Sequence, residues 1–255
     1  MHAKERVILS LDPNIGRAVW VADQVKDLVS SVQLCLLGRA SYQGILDLKY
    51  KGFKVCVDLR CMAEPDLLKS EYKYLKHLDV DMVAIMVHCG AASMGSLQGL
   101  FPKTEIAAVL SIDSITEDEY QFLYQMSSDE IVVRLAQLVK GIGITSLVCS
   151  PREFRVLKSH DELLPLSFYV RNVVPANTNN KDDQNVITVE EAITGGAAKL
   201  IVGNPVNDAD DPRFKMQAII DEVAAHQEKR KKRVVGRTTR TIDPGLVKRA
   251  EAKTP

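Results

Sequence analysis

The segment Lys54-Val55-Cys56-Val57-Asp58-Leu59-Arg60 is apolar almost without a break and ends abruptly in charge. A strand with one face in water alternates apolar and polar residues, whereas a strand buried on both faces, as in a parallel sheet covered by helices, does not. The segment therefore reads as a buried strand of an α/β protein. Seven more runs of the same character lie at 7–11, 32–37, 82–87, 106–110, 146–149, 168–170 and 200–202. Between them, apolar residues at three- and four-residue spacing predict amphipathic helices at 15–29, 42–51, 67–78, 131–141 and 214–225. Gly52 and Gly143 stand where a helix should stop ahead of the next strand. Eight strands alternating with helices over about 200 residues predict a single (β/α)8 TIM barrel of the α/β class. A doubly wound open sheet shares the alternation and is the alternative.

The totals suit one such domain. The 255 residues are 46% hydrophobic, enough to fill one large core. The formal net charge is zero, so the molecule as a whole gives no argument for nucleic-acid or membrane binding. No apolar stretch reaches 18 residues, and the polar N-terminus lacks the apolar core of a secretion signal. Cys35, Cys56, Cys61, Cys89 and Cys149 are odd in number, form no CxxC pair and sit mostly in apolar runs. They read as reduced core residues of a cytoplasmic protein, not as disulfides or zinc ligands.

In a TIM barrel the chemistry gathers at the C-terminal ends of the strands. That rule singles out Asp12, Gln33, Asp58, Arg60, His88, Ser111, Ser150, Gly203 and Asn204, together with the residues after Val170. For Asp12 and Ser150 the competing reading is a cap on the following helix.

Taken in order, these strand ends resemble the orotidine 5′-phosphate decarboxylase family. Val7-Ile8-Leu9-Ser10-Leu11-Asp12 is similar to the family's opening strand, and Val57-Asp58-Leu59-Arg60 to its Asp-Leu-Lys strand end. Asp81-Met82-Val83 with Val87-His88 resembles its fourth strand, and Leu110-Ser111 falls at its Leu-Thr-Ser. Gly143-Ile144, Val148-Cys149-Ser150 and Glu153 follow its sixth strand and helix start. Asp183-Gln184 with Thr188 and Glu190 matches the end of its phosphate loop. Val202-Gly203-Asn204-Pro205-Val206 with Asp211-Pro212 matches its last strand. The likeness runs over residues 7–228. It implies a barrel that decarboxylates a pyrimidine nucleotide without metal or organic cofactor, as a homodimer. An alternating Lys-Asp-Lys-Asp array would set carboxylates against the substrate's carboxylate and deliver a proton from lysine to the carbanion.

The chain departs from that array. The first lysine has no counterpart, and its place falls to Gln33, an amide that hydrogen-bonds but carries no charge. Asp58 keeps the first aspartate. Arg60 stands at the second lysine; its charge persists, but a pKa above about 12 makes it a poor proton donor. Ala63 stands at the second aspartate, with Glu64 one position away. Losing one transition-state stabiliser typically costs about 10²–10³ in rate, so efficient decarboxylation of orotidylate is not expected. Asp58, Arg60 and Gln33 are what remains of the catalytic group.

The family's phosphate site consists of a Thr-Pro-Gly turn, a Gln and an Arg. The counterparts here are Arg171-Asn172-Val173, Gln184, and Asn204 beside Gly203. The bidentate grip of the arginine is lost at Asn204. Arg171 is the candidate replacement charge, with an ordinary surface arginine as the competing reading, and Gly203 is expected to persist for close packing. Asp12 and Ser111 are expected ligand contacts. His88 is expected to be hydrogen-bonded within the fold, with a ligand contact at the barrel mouth as the alternative. Gln33 and Ala63 are poor magnesium ligands, so no metal or other cofactor is expected.

The barrel is expected to fill residues 1–228, followed by a basic tail over residues 229–255 that begins Lys229-Arg230-Lys231-Lys232-Arg233. The tail reads as a solvated helix end followed by a disordered segment. A polybasic arm for RNA or another acidic partner is the alternative, and β-prone residues 234–241 would allow a strand packed on the barrel or a partner. Two functions compete. One is a divergent decarboxylase-like protein of pyrimidine nucleotide metabolism, or a relative acting on a different phosphorylated substrate. The other is a catalytically silent barrel used for binding or assembly.

Overall fold

A computed structural model describes residues 2–11, 14–35, 41–59, 62–110, 115–176, 178 and 185–238. The strands are β1 Val7–Ser10, β2 Ser31–Cys35, β3 Lys54–Asp58, β4 Met82–Met86, β5 Glu105–Val109, β6 Ser146–Cys149, β7 Ser167–Val170, β8 Val173–Val174, β9 Ile187–Thr188 and β10 Lys199–Val202. Eight of them close a barrel in the order β1-β10-β7-β6-β5-β4-β3-β2. Every barrel pairing is parallel. The short β8 and β9 pair with each other as a separate parallel sheet. The fold is the (β/α)8 barrel expected from the sequence, and the open sheet is excluded.

The unbroken apolar runs follow from burial on both faces. On β3, Cys56 joins the inner cluster of the barrel, with Ile8, Met82, Ala84, Ala107, Val109, Val148 and Tyr169. Val55 and Val57 belong instead to the larger cluster between the sheet and the helices. Seven of the barrel strands thus serve two cores, and side-chain alternation sorts residues between them; β2 sends Val32 and Leu34 to the outer cluster and turns the polar Gln33 toward the cavity. Truncating a fully buried member such as Leu147 to Ala would cost about 2–5 kcal/mol.

The helices are α1 Ala3–Arg6, α2 Ile15–Val25, α3 Ser41–Tyr50, α4 Pro65–Tyr72, α5 Gly90–Leu100, α6 Glu117–Tyr124, α7 Ser128–Gly141, α8 Pro151–Leu157, α9 Val189–Gly195, α10 Asn204–Asn207 and α11 Pro212–Thr238. Four of them begin with a Ser or Thr that accepts from the backbone N–H three residues on, while a Glu there returns a bond to the cap: Thr116 with Glu119, Ser127 with Glu130, Ser150 with Glu153 and Thr188 with Glu191. Gly52 and Gly143 adopt φ of +89° and +84°, the left-handed stop that sequence predicts after α3 and α7.

Three boundaries differ from expectation. The predicted 15–29 helix ends at Val25, whose carbonyl accepts from both Leu28 N–H and Val29 N–H, a three-residue bond beside the four-residue one. The predicted 67–78 helix is α4 followed by a 3-10 turn over Lys73–Leu78, closed by Asp79 in the left-handed region. The last helix runs on to Thr238, so residues 234–238 are helical and not strand. Extending an existing helix adds a hydrogen bond per residue fixed, which outweighs the weak β preference of Val234 and Val235. Among the described residues no helix is long and apolar enough to cross a membrane.

Candidate functional site

The C-terminal mouth of the barrel holds a cavity of about 600 Å³, within the usual range for small-molecule sites. Its wall brings together Ser10 of β1, Gln33 of β2, Arg171 and Asn172 after β7, and Gly203 and Asn204 after β10. Val148 and Ile201 of the inner cluster form part of the apolar lining. Four of the residues singled out by sequence therefore share one cavity: Gln33, Arg171, Gly203 and Asn204. Asp58 joins them through Gln33, whose Nε2 donates to Asp58 Oδ2 across 3.3 Å. Asp12, Arg60, Ser111 and Gln184 lie outside the described residues.

The Gln33–Asp58 pair is set by register. On adjacent strands Gln33 pairs with Cys56 and Cys35 with Asp58, which leaves the two polar side chains within reach across β2 and β3. Both are buried, at 5% and 2% exposure. The Gln33 Oε1 is also buried and has no hydrogen-bond partner among the described residues. Leaving such a carbonyl unsatisfied costs about 1–3 kcal/mol. Ala63, which the resemblance sets at the second aspartate, packs against the outer core, and its carbonyl accepts from Ser93 Oγ at 2.7 Å. Glu64 is exposed at the N-cap of α4.

On the opposite wall Arg171 is 9% exposed, so it is not an ordinary surface arginine. The residue after it, Asn172, holds φ at +57°, a left-handed conformation uncommon outside glycine. The carbonyl of Asn172 accepts from Ile187 N–H, which ties the turn to β9. Ser10 and the last-strand loop are joined by Asn207 Nδ2, which donates to the Ser10 carbonyl at 2.8 Å. A Cβ added at Gly203 would meet the Ser10 carbonyl oxygen at 3.7 Å, an ordinary contact. Close packing therefore does not require glycine at 203, contrary to expectation.

Three further expectations are resolved nearby. Ser150 is a cap: its Oγ accepts from Glu153 N–H, and Glu153 Oε2 accepts from Ser150 N–H at 2.5 Å. The cap of α2 is Asn14, whose side chain accepts from Arg17 N–H. His88, expected to be hydrogen-bonded within the fold, has both ring nitrogens buried and unpartnered among the described residues. Burial holds its pKa below the usual histidine range.

The N-terminal end of the barrel is polar but differently organised. Glu105 Oε1 accepts from Ser146 Oγ and from Tyr169 OH, each at 2.6 Å. Burial, then the bond to Glu105, raise the Tyr169 pKa. Cys56 lies beside this group, and burial pushes its thiol up to about 12. A thiol so placed is an inert core group, as expected for this cysteine. None of the four described cysteines, Cys35, Cys56, Cys89 and Cys149, is in a disulfide.

Sequence reasoning missed Ser10 as a site residue and named Asn172 only within the turn Arg171-Asn172-Val173. Ser10 stands two residues after Ile8, which faces the barrel interior, so strand alternation would have found it. The conformation of Asn172 has no signature in a single sequence.

Barrel and mouth together define a class: an α/β barrel protein with a cavity of small-molecule size, lined by polar and apolar residues, at the C-terminal end of its strands. Comparison with known proteins narrows it. The family model described as Orotidine 5′-phosphate decarboxylase / HUMPS family matches residues 5–219. The chain belongs to that family. It is 27% identical over 239 residues to an orotidine 5′-phosphate decarboxylase of Moorella thermoacetica, covering 88% of this chain and 94% of the relative. It is 31% identical over 221 residues to that of Staphylococcus aureus strain bovine RF122 / ET3-1, covering 82% and 94%. Among solved structures, orotidine 5′-phosphate decarboxylase from Lactobacillus acidophilus superposes with a TM-score of 0.73 at 21% identity, covering 86% of this chain and 99% of that one. An uncharacterized conserved protein from Geobacillus kaustophilus gives 0.70 at 18% identity, covering 85% and 99%.

Proposed function

We propose that this chain binds a phosphorylated pyrimidine nucleotide, or a related small phosphorylated molecule, at the barrel mouth and does not decarboxylate it efficiently. The observation that carries the proposal is the buried hydrogen bond from Gln33 to Asp58. Where the family reaction calls for an ammonium beside the retained carboxylate, a neutral amide occupies the contact. An amide neither offsets the carboxylate's charge nor delivers a proton to a carbanion. The exposed position of Glu64 supports the same reading, since it does not fill the place of the second carboxylate.

In this proposal the ligand's anionic group meets Arg171, whose planar guanidinium suits phosphate better than a single point charge. Asn204 and Gly203 flank it, and Asp12, Ser111 and Gln184 complete the contacts. Gln33 Oε1 is the acceptor for a ligand N–H, and Asp58 with Arg60 is the residual electrostatic pair.

We also infer a homodimer. Tyr42, Leu46 and Tyr50 stand four residues apart on α3 and are 42%, 38% and 95% exposed, an apolar stripe that favours burial against a second copy. The placement of Cys56 and Cys149 as buried core thiols supports a reducing compartment such as the cytoplasm. The experiment that tests the proposal is thermal shift with uridine monophosphate. A bound nucleotide raises apparent stability by about 2.7 kcal/mol at a hundredfold excess over Kd. No shift at millimolar nucleotide would count against this reading and favour a barrel kept for assembly alone.

A further inference from the structure

The last helix outruns the barrel. Its last described buried position is Val223, and Glu228 and Lys229 are exposed. The helix nevertheless continues to Thr238, about 15 Å beyond residue 228 at 1.5 Å per residue. Charge is divided at the same point. Residues 1–228 carry 23 Lys and Arg against 31 Asp and Glu, a net −8, while residues 229–255 carry ten against two, a net +8. The zero total conceals an acidic barrel with a basic arm.

The pattern within the arm constrains its partner. Lys229-Arg230-Lys231-Lys232-Arg233 are five consecutive cations, and at about 100° per residue they leave no side of the helix uncharged. A helix that lies on a membrane or in a protein groove needs a continuous apolar face, and residues 229–238 offer only Val234 and Val235. Positions 230, 233 and 237, all arginine, fall within about 60° of the helical circumference. A row of arginines on one face, with lysines around the rest, matches a series of phosphates, each of which a guanidinium can grip by two hydrogen bonds.

We propose that the helical arm over residues 229–238 is a nucleic-acid-binding element that grips the phosphodiester backbone through Arg230, Arg233 and Arg237, with little preference for sequence. The acidic barrel repels the same polyanion and confines contact to the arm. This inference is independent of what the barrel mouth binds.

The test is fluorescence anisotropy of the full chain with three probes at low salt: a 20-nucleotide single-stranded RNA, a 20-base-pair DNA duplex and a polyglutamate of matched charge. Vesicles of phosphatidylserine and phosphatidylcholine form a fourth arm, read by co-sedimentation. The expected result is saturable binding of at least one nucleic acid, weakened tenfold or more by the triple variant Arg230→Glu/Arg233→Glu/Arg237→Glu. The logarithm of affinity should fall with the logarithm of salt at a slope of about −4 for the single strand and about −5.4 for the duplex if six cations are engaged. Whether RNA or duplex binds more tightly identifies the source of the phosphates. The variant should keep the wild-type melting temperature, which separates loss of binding from loss of fold. Absence of nucleic-acid binding, equal affinity in the triple variant, equal affinity for polyglutamate, or tighter binding to vesicles would each overturn the proposal.

Discussion

Gln33 Nε2 donates to Asp58 Oδ2 across 3.3 Å, and the two side chains are 5% and 2% exposed. A neutral donor thus meets an acidic side chain at a place shielded from water. The substitution Gln33→Glu would put two carboxyl groups in that contact, and two such groups resist simultaneous ionisation. Burial and the neighbour raise the new group's pKa in the folded state above its unfolded value of about 4.3. The penalty is therefore full at pH above the raised pKa and fades as pH falls toward the unfolded value. Thermal melts should show a deficit of about 1–3 kcal/mol at pH 8 that shrinks by pH 5. A deficit independent of pH would mean that the two side chains do not meet.

His88 gives a second pH prediction. Its burial depresses the folded-state pKa, while the unfolded chain titrates near 6.5. Above 6.5 both states are neutral, and His88 imposes no pH dependence. As pH falls below that value the unfolded state takes up a proton that the folded state refuses, so stability is lost down to the depressed pKa. Urea unfolding at pH 7.5 and 5.5 should show a smaller acid-side loss in His88→Leu than in the wild type. An unchanged loss would assign the pH dependence to other groups.

Arg171 should matter to ligand and not to fold class. The residue is buried and lines the cavity. Arg171→Ala should weaken nucleotide binding by at least tenfold, about 1.4 kcal/mol, and Arg171→Lys should recover part of the loss because charge returns without the planar fork. Calorimetric titration with uridine monophosphate, alongside far-UV circular dichroism, reads both effects. Equal affinity in all three proteins would remove Arg171 from the site.

The two ends of the barrel should separate cleanly. Tyr169→Phe deletes one of two bonds to Glu105 Oε1 at the N-terminal end. Its cost should be about 0.5–3 kcal/mol in denaturant unfolding, with nucleotide affinity at the mouth unchanged. A change in affinity as large as the loss in stability would show that the two ends are coupled.

Much of this architecture was legible in the chain. The run ending at Asp58 showed a doubly buried strand because both of its faces are apolar, and β4 and β6 read equally well. Periodicity failed for α5, where Gly90, Gly95 and Gly99 among small residues leave almost no contrast between faces. It also failed for α6, α8 and α9, although Thr116, Ser150 and Thr188 each precede a Glu by three residues and announce those helices through their caps. At the site, the strand-end rule found Gln33, Asp58 and Asn204. It could not foresee that register would let Gln33 reach Asp58, because that depends on the stagger between β2 and β3. The His88 imidazole, unpartnered among the described residues, was likewise hidden, since a histidine at a strand end gives no sign of whether a partner will stand beside it.

The most direct test of the central claim is a spectrophotometric decarboxylation assay of the full chain with orotidylate, run on protein that has first been shown to bind uridine monophosphate. The account predicts nucleotide binding without turnover above the background of an enzyme-free control. Turnover on the order of 10 s⁻¹, ordinary for enzymes, would contradict it, because an amide at residue 33 and an arginine at residue 60 would then have to suffice for protonating the carbanion.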